Sequence, residues 1–407
     1  MSFIPKNDSK TSAMRAITSQ LTLVGLIALS FSPVTRAQDD FATVNVTSPP
    51  DVLSKQPVVG AYYYPWYGVA SAPLEHDWRN LLRRKLVPRQ SPRLGSYRSN
   101  DPAVIAEHIK QSRQAGLSFW AVSWWGPDTA TDETFRKAIL DHPDSDALRY
   151  AVLYESTGRL GKMDSPHYDQ LIDDFSYLKK HYFNDPHYLR ISDRPVVFIY
   201  LTRVYFRERG LDELAEVRKL YPEVYIVGDD VFGEGYQPEW AKQFDAVTSY
   251  DVYGQSTGVH KATTEAIETL DKNYADARRV ANSVGVAFIP AIAPGYNDRA
   301  VRSGHPGTAR YFIDEPKSEE GSLFRAMIRD VGLPNLDDTC GRLMMVTSFN
   351  EWYEDTQIEP TKGTAGVTDS DNSKNKRHFT GGDRYTDYGD LYLEILQEEA
   401  FRNASKK

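Results

Sequence analysis

Two glutamates lie close together in the segment Phe349 to Glu354 (FNEWYE), directly after the apolar run Leu343 to Val346. Such a run is typical of a strand that is buried on both faces. Glu351 and Glu354 follow where the chain leaves the strand, so their carboxyl groups can converge on one small volume. Cleavage of a glycosidic bond needs such a pair, because one group protonates the leaving oxygen and the other assists displacement at the anomeric carbon. The alternative interpretation is that both glutamates are solvated loop charges.

Composition limits the classes of protein that the chain can belong to. With 407 residues, 41% hydrophobic and 26% charged, it has the composition of a soluble globular protein with an ample core. Its 25 Tyr and 7 Trp favour a site that stacks on rings, if they cluster near strand ends. The net charge of −8 argues against nucleic acid as a partner. Cys340 is the single cysteine, expected to be half-buried, so no internal disulfide can form.

Residues 1–37 have the pattern of a secretory signal peptide. Lys6, Lys10 and Arg15 precede the apolar stretch from Leu21 to Phe31, and small residues lead to Ala37. The apolar stretch is too short for a lasting membrane span. The segment holds four Lys/Arg and one Asp, so its removal changes the net charge from −8 to −11. We therefore expect a secreted or periplasmic protein with no membrane span in the mature chain, acting as a monomer.

Eight apolar runs alternate with helical patterns in residues 58–407, after a polar lead-in at residues 38–57 that we expect to be extended. This alternation predicts a parallel sheet covered by helices, and a closed (β/α)8 TIM barrel with long βα loops is the economical arrangement. Residues 58–407 are thus predicted to be a single catalytic domain. An open, doubly wound sheet is the alternative, but no Gly-x-Gly-x-x-Gly turn follows the first strand.

The predicted strands and helices can be placed along the chain. The strands are expected at 58–67, 117–125, 150–155, 195–202, 224–229, 246–251, 286–293 and 343–349. The main helices are expected at 101–115, 132–140, 167–181, 211–221, 238–244, 263–283, 317–331 and 387–402. Asp101 and Pro102 have the residue types of an N-cap and a first helical position, and Gly116 ends that helix.

Aromatic and carboxylate side chains gather where the predicted strands end, and these ends share one mouth in a barrel. Besides Glu351 and Glu354 they are Tyr62, Tyr63, Tyr64, Trp66, Tyr67, Trp124, Trp125, Tyr154, Glu155, Tyr200, Arg203, Asp229, Asp230, Tyr250, Asp251, Tyr253, Tyr296 and Asn297. As a set they describe a cleft for an oligosaccharide or polysaccharide, although half of the tyrosines could be core residues.

Other chemistries have weaker support. The chain has no His-Glu-x-x-His, no calcium loop and no Gly-x-Ser-x-Gly elbow, so we expect neither a metal nor another cofactor. His76, His260 and His305 lie in connections, where an isolated histidine is more often a surface residue. The polar loop 360–384 is long enough for a lid or a substrate wall, with disorder as the alternative.

The motifs resemble those of glycoside hydrolase family 99, the endo-α-1,2-mannosidases and mannanases, over nearly the whole predicted mature chain. The matching stretches are YYYPWYG at 62–68, LGSYRSNDPAVIAEHIKQSRQAGL at 94–117, VSWWG at 122–126, LYES at 153–156 and FNEWYEDTQIEPT at 349–361. In that family the last segment usually reads NEWHEGTQIE. Tyr353 therefore replaces a histidine, and Asp355 replaces a glycine and would tend to raise the pKa of a neighbouring carboxyl group.

The resemblance implies a retaining, endo-acting hydrolase of α-mannosidic bonds that uses the 2-hydroxyl of its own substrate. Glu351 would act as general base on that hydroxyl, giving a 1,2-anhydro sugar, and Glu354 would protonate the leaving oxygen and then deprotonate water. Glu155 matches a glutamate of the family's active site. The residues assigned to substrate binding are Tyr64, Trp66, Trp124, Trp125, Tyr154, Glu155, Tyr250, Tyr253, Asn350 and Trp352.

Two other functions stay open on the residues alone. One is a glycosidase that acts on another polysaccharide through direct attack by a carboxylate nucleophile. The other is a barrel that binds carbohydrate without cleaving it. Substrates without a 2-hydroxyl would separate the first alternative from the implied mechanism, and turnover of any polysaccharide would exclude the second.

Overall fold

The computed structural model describes residues 56–68, 78–253 and 261–402. These residues all belong to one compact unit. The predicted signal peptide lies outside the described residues, as do His76, His260 and nearly all of the predicted lead-in. Within the described residues, no helix is both long enough and apolar enough to span a bilayer.

In the described part of the chain, nine parallel strands form the path of one curled sheet. In chain order they are β1 (Val58–Tyr63), β2 (Leu117–Trp124), β3 (Arg149–Tyr154), β4 (Arg194–Ile199), β5 (Tyr225–Asp229), β6 (Ala246–Thr248), β7 (Ala287–Phe288), β8 (Ala291–Ile292) and β9 (Leu343–Val346). Their order across the sheet is β7-β6-β5-β4-β3-β2-β1-β9-β8. Because β7 and β8 are the two halves of one predicted strand, the edges of the sheet meet there. The predicted (β/α)8 barrel is confirmed.

A proline accounts for the division of the seventh barrel strand. Ile289 donates its N–H to Val247 on one side at 2.9 Å, and the carbonyl of Pro290 accepts from Met345 on the other side at 2.9 Å. Pro290 has no N–H, so it supplies only the acceptor. The strand therefore pairs with β6 before the proline and with β9 after it.

Among residues 56–68, 78–253 and 261–402, eight main helices follow the barrel strands. They are α1 (Pro102–Ala115), α2 (Ala130–Thr134, continued by Phe135–Leu140), α3 (Leu171–His181), α4 (Leu211–Leu220), α5 (Pro238–Ala241), α6 (Thr264–Ser283), α7 (Ser322–Ala326, continued by Met327–Gly332) and α8 (Leu391–Gln397, continued by Glu398–Arg402). Each overlaps a predicted helix. Short helical turns occur at Trp78–Asn80, Leu82–Lys85, Ser145–Ala147, Ser156–Arg159, Thr202–Tyr205, Leu333–Asn335 and Asp338–Cys340.

Five further short strands within the described residues lie outside the barrel path. Arg190–Ile191 pairs with β4 in antiparallel fashion. Gly161–Lys162 pairs with Ser165–Pro166, and Val367–Thr368 pairs with Tyr385–Thr386.

Most barrel strands are shorter than predicted at the mouth. The predicted first and last strands end at Tyr67 and Phe349, whereas β1 ends at Tyr63 and β9 at Val346. The residues beyond these ends are apolar or aromatic, which is why the pattern extended the strands, but they leave the sheet to form the rim. Cys340 is fully buried rather than half-buried.

The loop 360–384 has a defined structure, organised around the buried carboxylate of Asp371. This carboxylate accepts the N–H groups of Ser373 at 2.9 Å, Phe379 at 2.7 Å and Thr380 at 3.0 Å. The loop also pairs with Leu86 through Asp371. Backbone donors inside a polar loop need such partners, because few regular hydrogen bonds are available to them.

The N-cap of α1 gives a stability prediction. Asp101 accepts the N–H of Ala103 at 2.9 Å. Asp101→Ala removes this acceptor and should lower the free energy of unfolding by about 1 kcal/mol, measured by urea denaturation. Gln114→Ala, at an exposed position of the same helix, is the control and should change it by less than about 0.5 kcal/mol. An unchanged stability in Asp101→Ala would contradict the assigned cap.

Candidate active site

Asn350 ties the segment after β9 to the segment after β1. Its Oδ1 accepts the N–H of Tyr64 at 2.7 Å, and its Nδ2 donates to the carbonyl of Tyr64 at 3.0 Å. The hydroxyl of Tyr67 donates to the carbonyl of Asn350 at 3.0 Å and accepts the N–H of Trp352 at 2.9 Å. These contacts fix the backbone that carries both glutamates.

Glu351 is almost fully buried, with 3% of its surface exposed. Its N–H donates to Ser348 Oγ at 2.8 Å, and its Oε1 accepts the N–H of Tyr353 at 2.8 Å. Its Oε2 has no hydrogen-bond partner among the described residues. Burial, and next the charge of Glu354, raise the pKa of Glu351 well above its ordinary value. The free oxygen is thus a strong proton acceptor once the group is ionised.

Glu354 sits nearer the solvent, with 16% of its side chain exposed. Its Oε2 accepts the hydroxyl of Tyr250 at 2.8 Å, and its Oε1 accepts Arg302 Nη1 at 3.2 Å. Burial raises the pKa of Glu354, although Arg302 and Tyr250 act in the opposite direction. Since each carboxylate disfavours ionisation of the other, Glu351 and Glu354 titrate as a pair.

Glu155 is a third buried carboxyl group in this region. Ser123 Oγ donates to its Oε1 at 2.6 Å. Burial, together with the charges of Glu354 and Asp229, raises the pKa of Glu155 to about 8, although the hydrogen bond from Ser123 acts in the opposite direction. The mouth therefore collects carboxyl groups whose ionisation the surrounding protein disfavours.

Aromatic rings lie beside these carboxyl groups. The rings of Tyr64 and Trp66 are 4.5 Å apart between centroids, and Trp66 and Trp125 are 6.1 Å apart. On another side, Tyr250 packs edge-on against Tyr200 at 5.2 Å. Burial is partial at Trp125 and Tyr200. The structure thus brings together five of the predicted binding residues with the glutamate pair: Tyr64, Trp66, Trp125, Glu155 and Tyr250.

Four other predicted binding residues are buried behind the mouth. Trp124, Tyr154, Asn350 and Trp352 have no exposed surface. Trp124 Nε1 donates to Asp132 Oδ1 at 2.8 Å, the Tyr154 hydroxyl to Asp174 Oδ2 at 2.8 Å, and Trp352 Nε1 to Glu359 Oε2 at 2.7 Å. These contacts correct the predicted role of the three aromatic residues, because a fully buried ring cannot stack on a sugar, and the amide of Asn350 is already bonded to the backbone of Tyr64.

Strand geometry explains the difference between Trp124 and Trp125 and between Tyr154 and Glu155. Successive side chains of a strand point to opposite faces of the sheet. At each strand end, one residue therefore faces the mouth and its neighbour faces the helices. Tyr253 is also buried, with 5% exposed, and its hydroxyl donates to the carbonyl of Ala293 at 2.7 Å.

The expected effect of Asp355 is also corrected. Its carboxylate accepts Arg83 Nε at 2.7 Å and Arg310 Nε at 3.3 Å, and all three side chains are buried. These two cations hold the pKa of Asp355 below its ordinary value despite burial. Its charge is therefore balanced locally rather than added to the acid. The backbone of Asp355 has φ 49°, a left-handed conformation that favours glycine and that aspartate tolerates.

Sequence reasoning missed Arg302, which contacts Glu354, and Ser123, which contacts Glu155. Arg302 lies in an irregular connection, where no periodic pattern marks a functional residue. The general rule that buried carboxylates need a nearby donor could have suggested such a cation, but not which one.

A closed parallel barrel with a buried carboxyl pair beside aromatic rings at its mouth defines the class as a glycoside hydrolase. Within that class the chain is similar to members of glycoside hydrolase family 99. The family model described as Glycosyl hydrolase family 99 matches residues 84–210. A second model, described as Glycosyltransferase WbsX, matches residues 163–366, half of the chain, so the chain belongs to the sequence family that this model describes.

Individual relatives are distant in sequence. A glycoprotein endo-alpha-1,2-mannosidase of Mus musculus is 25% identical over 344 residues, covering 74% of this chain and 67% of the relative. The Rattus norvegicus protein of that name is 26% identical over 383 residues, covering 84% and 73%. The solved structure of the GH99 endo-alpha-mannosidase from Bacteroides thetaiotaomicron in complex with BIS-TRIS-propane has a TM-score of 0.55, 20% identity and coverage of 86% and 99%. That likeness confirms the fold.

The burial of Glu351 predicts a conflict between stability and ionisation. A carboxyl group whose folded-state pKa is raised above 4.5 costs stability as pH rises through that range, because the unfolded chain ionises first. Glu351→Gln should therefore raise the melting temperature at pH 8, because the neutral amide does not have to ionise in the buried site. The gain should disappear near pH 4.

The control for this measurement is Glu208→Gln, because Glu208 is exposed. It should give no comparable gain at pH 8. A Glu351→Gln protein that is less stable than wild type at both pH values would contradict the electrostatic account of this site. Thermal melts followed by circular dichroism supply the comparison.

Proposed function

We propose that the protein is a retaining, endo-acting hydrolase of α-mannosidic bonds, in particular α-1,2-linked bonds of a mannan or glycan. The observation that carries the proposal is the buried pair of Glu351 and Glu354, with one Glu351 oxygen left without a protein partner. The names of the mouse and rat relatives support the sugar and the linkage.

The proposed first step uses a hydroxyl of the substrate as nucleophile. Glu351 Oε2 accepts the proton of the 2-hydroxyl, and that oxygen attacks the anomeric carbon while the glycosidic bond breaks. Glu354 gives its proton to the departing oxygen. The products of this step are a 1,2-anhydro sugar, a shortened chain with a new hydroxyl group, protonated Glu351 and ionised Glu354.

The proposed second step reverses these roles. Water attacks the anomeric carbon and opens the anhydro ring, and ionised Glu354 accepts the proton of the water. Glu351 returns its proton to the 2-oxygen. Two inversions at the anomeric carbon give net retention, and the enzyme regains its starting protonation.

The electrostatics of the pair suit this exchange. The reaction needs one proton on the pair throughout, because one group acts as base while the other acts as acid. Burial and mutual repulsion disfavour the doubly ionised form. The pH range in which the pair holds one proton therefore extends to higher pH than it would in water. We expect a bell-shaped dependence of kcat/KM on pH.

Glycosyl transfer is the second candidate, because the Glycosyltransferase WbsX model matches half of the chain. The same pair could pass a sugar to a sugar hydroxyl instead of water. A nucleotide-sugar donor fits the site poorly, since its phosphates would meet Glu155, Asp229, Glu351 and Glu354. Direct attack by a carboxylate on another polymer and binding without cleavage are the remaining alternatives.

The test is turnover of linkage-defined mannans and glucans by wild type and by the two glutamine variants. Glu351→Gln and Glu354→Gln should each lower kcat by at least about 100-fold, while both still bind the oligosaccharide. Wild type should not cleave the matching substrate whose reacting sugar lacks its 2-hydroxyl. Proton NMR should show the α anomer as the first product.

Each contrary result points to a different alternative. Cleavage of the 2-deoxy substrate would favour a direct carboxylate nucleophile. Products longer than the substrate would favour glycosyl transfer, and binding without turnover across the whole panel would favour a non-catalytic barrel. Asp101→Ala serves as the control variant, because it lies in a helix cap and should keep full activity.

We also propose that residues 1–37 direct export and that the mature protein acts as a monomer, without nucleic acid as a partner. Expressed in a bacterial host with a secretion pathway, the full chain should yield a protein whose first residue is Gln38, by N-terminal sequencing. Leu26→Arg interrupts the apolar stretch and should keep the protein in the cytoplasm. An uncleaved wild-type protein in the cytoplasm would contradict export.

A further inference from the structure

Arg302 is the cation that contacts the proposed acid among the described residues. Its Nη1 donates to Glu354 Oε1 at 3.2 Å and to Asp298 Oδ2 at 2.8 Å. Asp298 is fully buried, whereas the Arg302 side chain is 54% exposed. Arg302 therefore reaches Glu354 from the solvent side and is held there by a buried anion.

The loop 296–308 that carries Arg302 is fixed to the catalytic segment. The N–H of Asn297 donates to the backbone carbonyl of Glu354 at 2.7 Å. Asn297 Nδ2 donates to the carbonyl of Phe379 at 3.1 Å, and Arg299 Nη1 donates to the carbonyl of Thr380 at 3.1 Å. The loop 360–384 thus supports the loop 296–308, which supports the acid.

A guanidinium group can only donate hydrogen bonds, so its contact with Glu354 favours the carboxylate over the neutral acid. Tyr250 can donate or accept, so it suits either form. The other charged or titratable groups facing Glu354 are Glu351, Glu155, Asp298, Tyr64, Tyr200 and Tyr296. None of these is a cation, whereas Arg302 is one and opposes the accumulation of negative charge beside Glu354.

This asymmetry matters at one stage of the proposed reaction. When the glycosidic bond breaks, Glu354 loses its proton to the departing oxygen and becomes a carboxylate beside Glu351 and Glu155. Without a neighbouring cation, that carboxylate would form in a buried and already acidic environment, and the proton would leave reluctantly.

We propose that Arg302 is a positioning residue that promotes proton transfer from Glu354 to the leaving group by stabilising the carboxylate that remains. The inference rests on the proposed function, since it takes Glu354 as the acid. It deepens that function by stating which substrates depend on Arg302. Bonds to poor leaving groups need the proton, whereas bonds to good leaving groups break with little help from it.

The experiment compares Arg302→Met with wild type on two substrates that share one glycone. The first is an oligosaccharide cleaved at an α-1,2-mannosidic bond whose glycone mannose carries a free 2-hydroxyl, with a sugar as leaving group, and the second is the 2,4-dinitrophenyl glycoside of the same glycone. For Arg302→Met, kcat/KM on the oligosaccharide should fall by about tenfold or more, and on the dinitrophenyl glycoside by less than about threefold.

The pH profile gives an independent reading. Loss of Arg302 removes the nearby positive charge, so the pKa of Glu354 should rise. Because the active enzyme needs Glu354 protonated, the alkaline limb of kcat/KM should move to higher pH in Arg302→Met. Arg302→Lys keeps a charge and should restore part of the lost rate and most of the original profile.

Arg299→Met is the matched control, because Arg299 supports the same loop through Thr380 and does not contact Glu354. It should lower both rates by a similar factor and leave the pH profile in place. If Arg302→Met behaves in that way, with a melting temperature close to that of wild type, Arg302 is only structural and the inference is overturned.

Failure of the proposed function gives a different pattern. A wild-type protein that cleaves neither substrate overturns the function and the inference with it. A wild type that cleaves both, with equal losses in Arg302→Met, overturns the inference alone.

Discussion

The site depends on one side-chain amide that takes the place of a peptide group. β1 and β9 pair as parallel strands from Val58 to Ala61, and a last backbone bond runs from the N–H of Phe349 to the carbonyl of Tyr62 at 2.9 Å. Beyond that point Asn350 offers one acceptor and one donor to the backbone of Tyr64, at 2.7 and 3.0 Å. The amide thus joins the two strand ends where regular pairing is no longer possible. The wall carrying Tyr64 and Trp66 and the turn carrying both glutamates are held together by this contact.

Two neighbouring carboxylates show how differently the fold treats buried charge. Asp355 is matched by Arg83 and Arg310, so burial costs little and the group stays ionised. Glu351 receives a single backbone N–H and faces another carboxyl group, so burial keeps it close to protonation. The first arrangement stabilises the turn and the second gives it reactivity. Ionisable groups buried without full compensation are concentrated at functional sites. They lower the free energy of unfolding, and the packing of the surrounding barrel offsets this cost.

Much of the fold was predictable because its strands are buried on both faces, which produces apolar runs that are hard to mistake. The cap at Asp101 and the eight helices followed from local signals. The division of the seventh strand did not, since Pro290 inside an apolar run can interrupt a strand or end it. The strand ends were placed too late because rim aromatics continue the apolar pattern beyond the sheet.

The sequence also predicted part of the candidate site. The glutamate pair, Glu155 and the rings of Tyr64, Trp66 and Trp125 stand on the rim as expected. Trp124, Tyr154 and Trp352 do not, because composition reveals a ring near a strand end but not the face on which it lies. Arg302 was invisible, since its contact with Glu354 arises from a long loop whose path no local pattern determines. The face on which a ring lies and the path of a long loop are both set by tertiary structure rather than by local sequence.

The triad of Arg83, Asp355 and Arg310 links three distant parts of the sequence. Losing the aspartate alone would leave two guanidinium groups confined without a counter-charge, whereas losing one arginine would leave the buried aspartate with a single cation. Reaching the glycine that family members usually have at position 355 therefore requires compensating exchanges at positions 83 and 310. Among related sequences, we expect substitutions at positions 83, 310 and 355 to occur together.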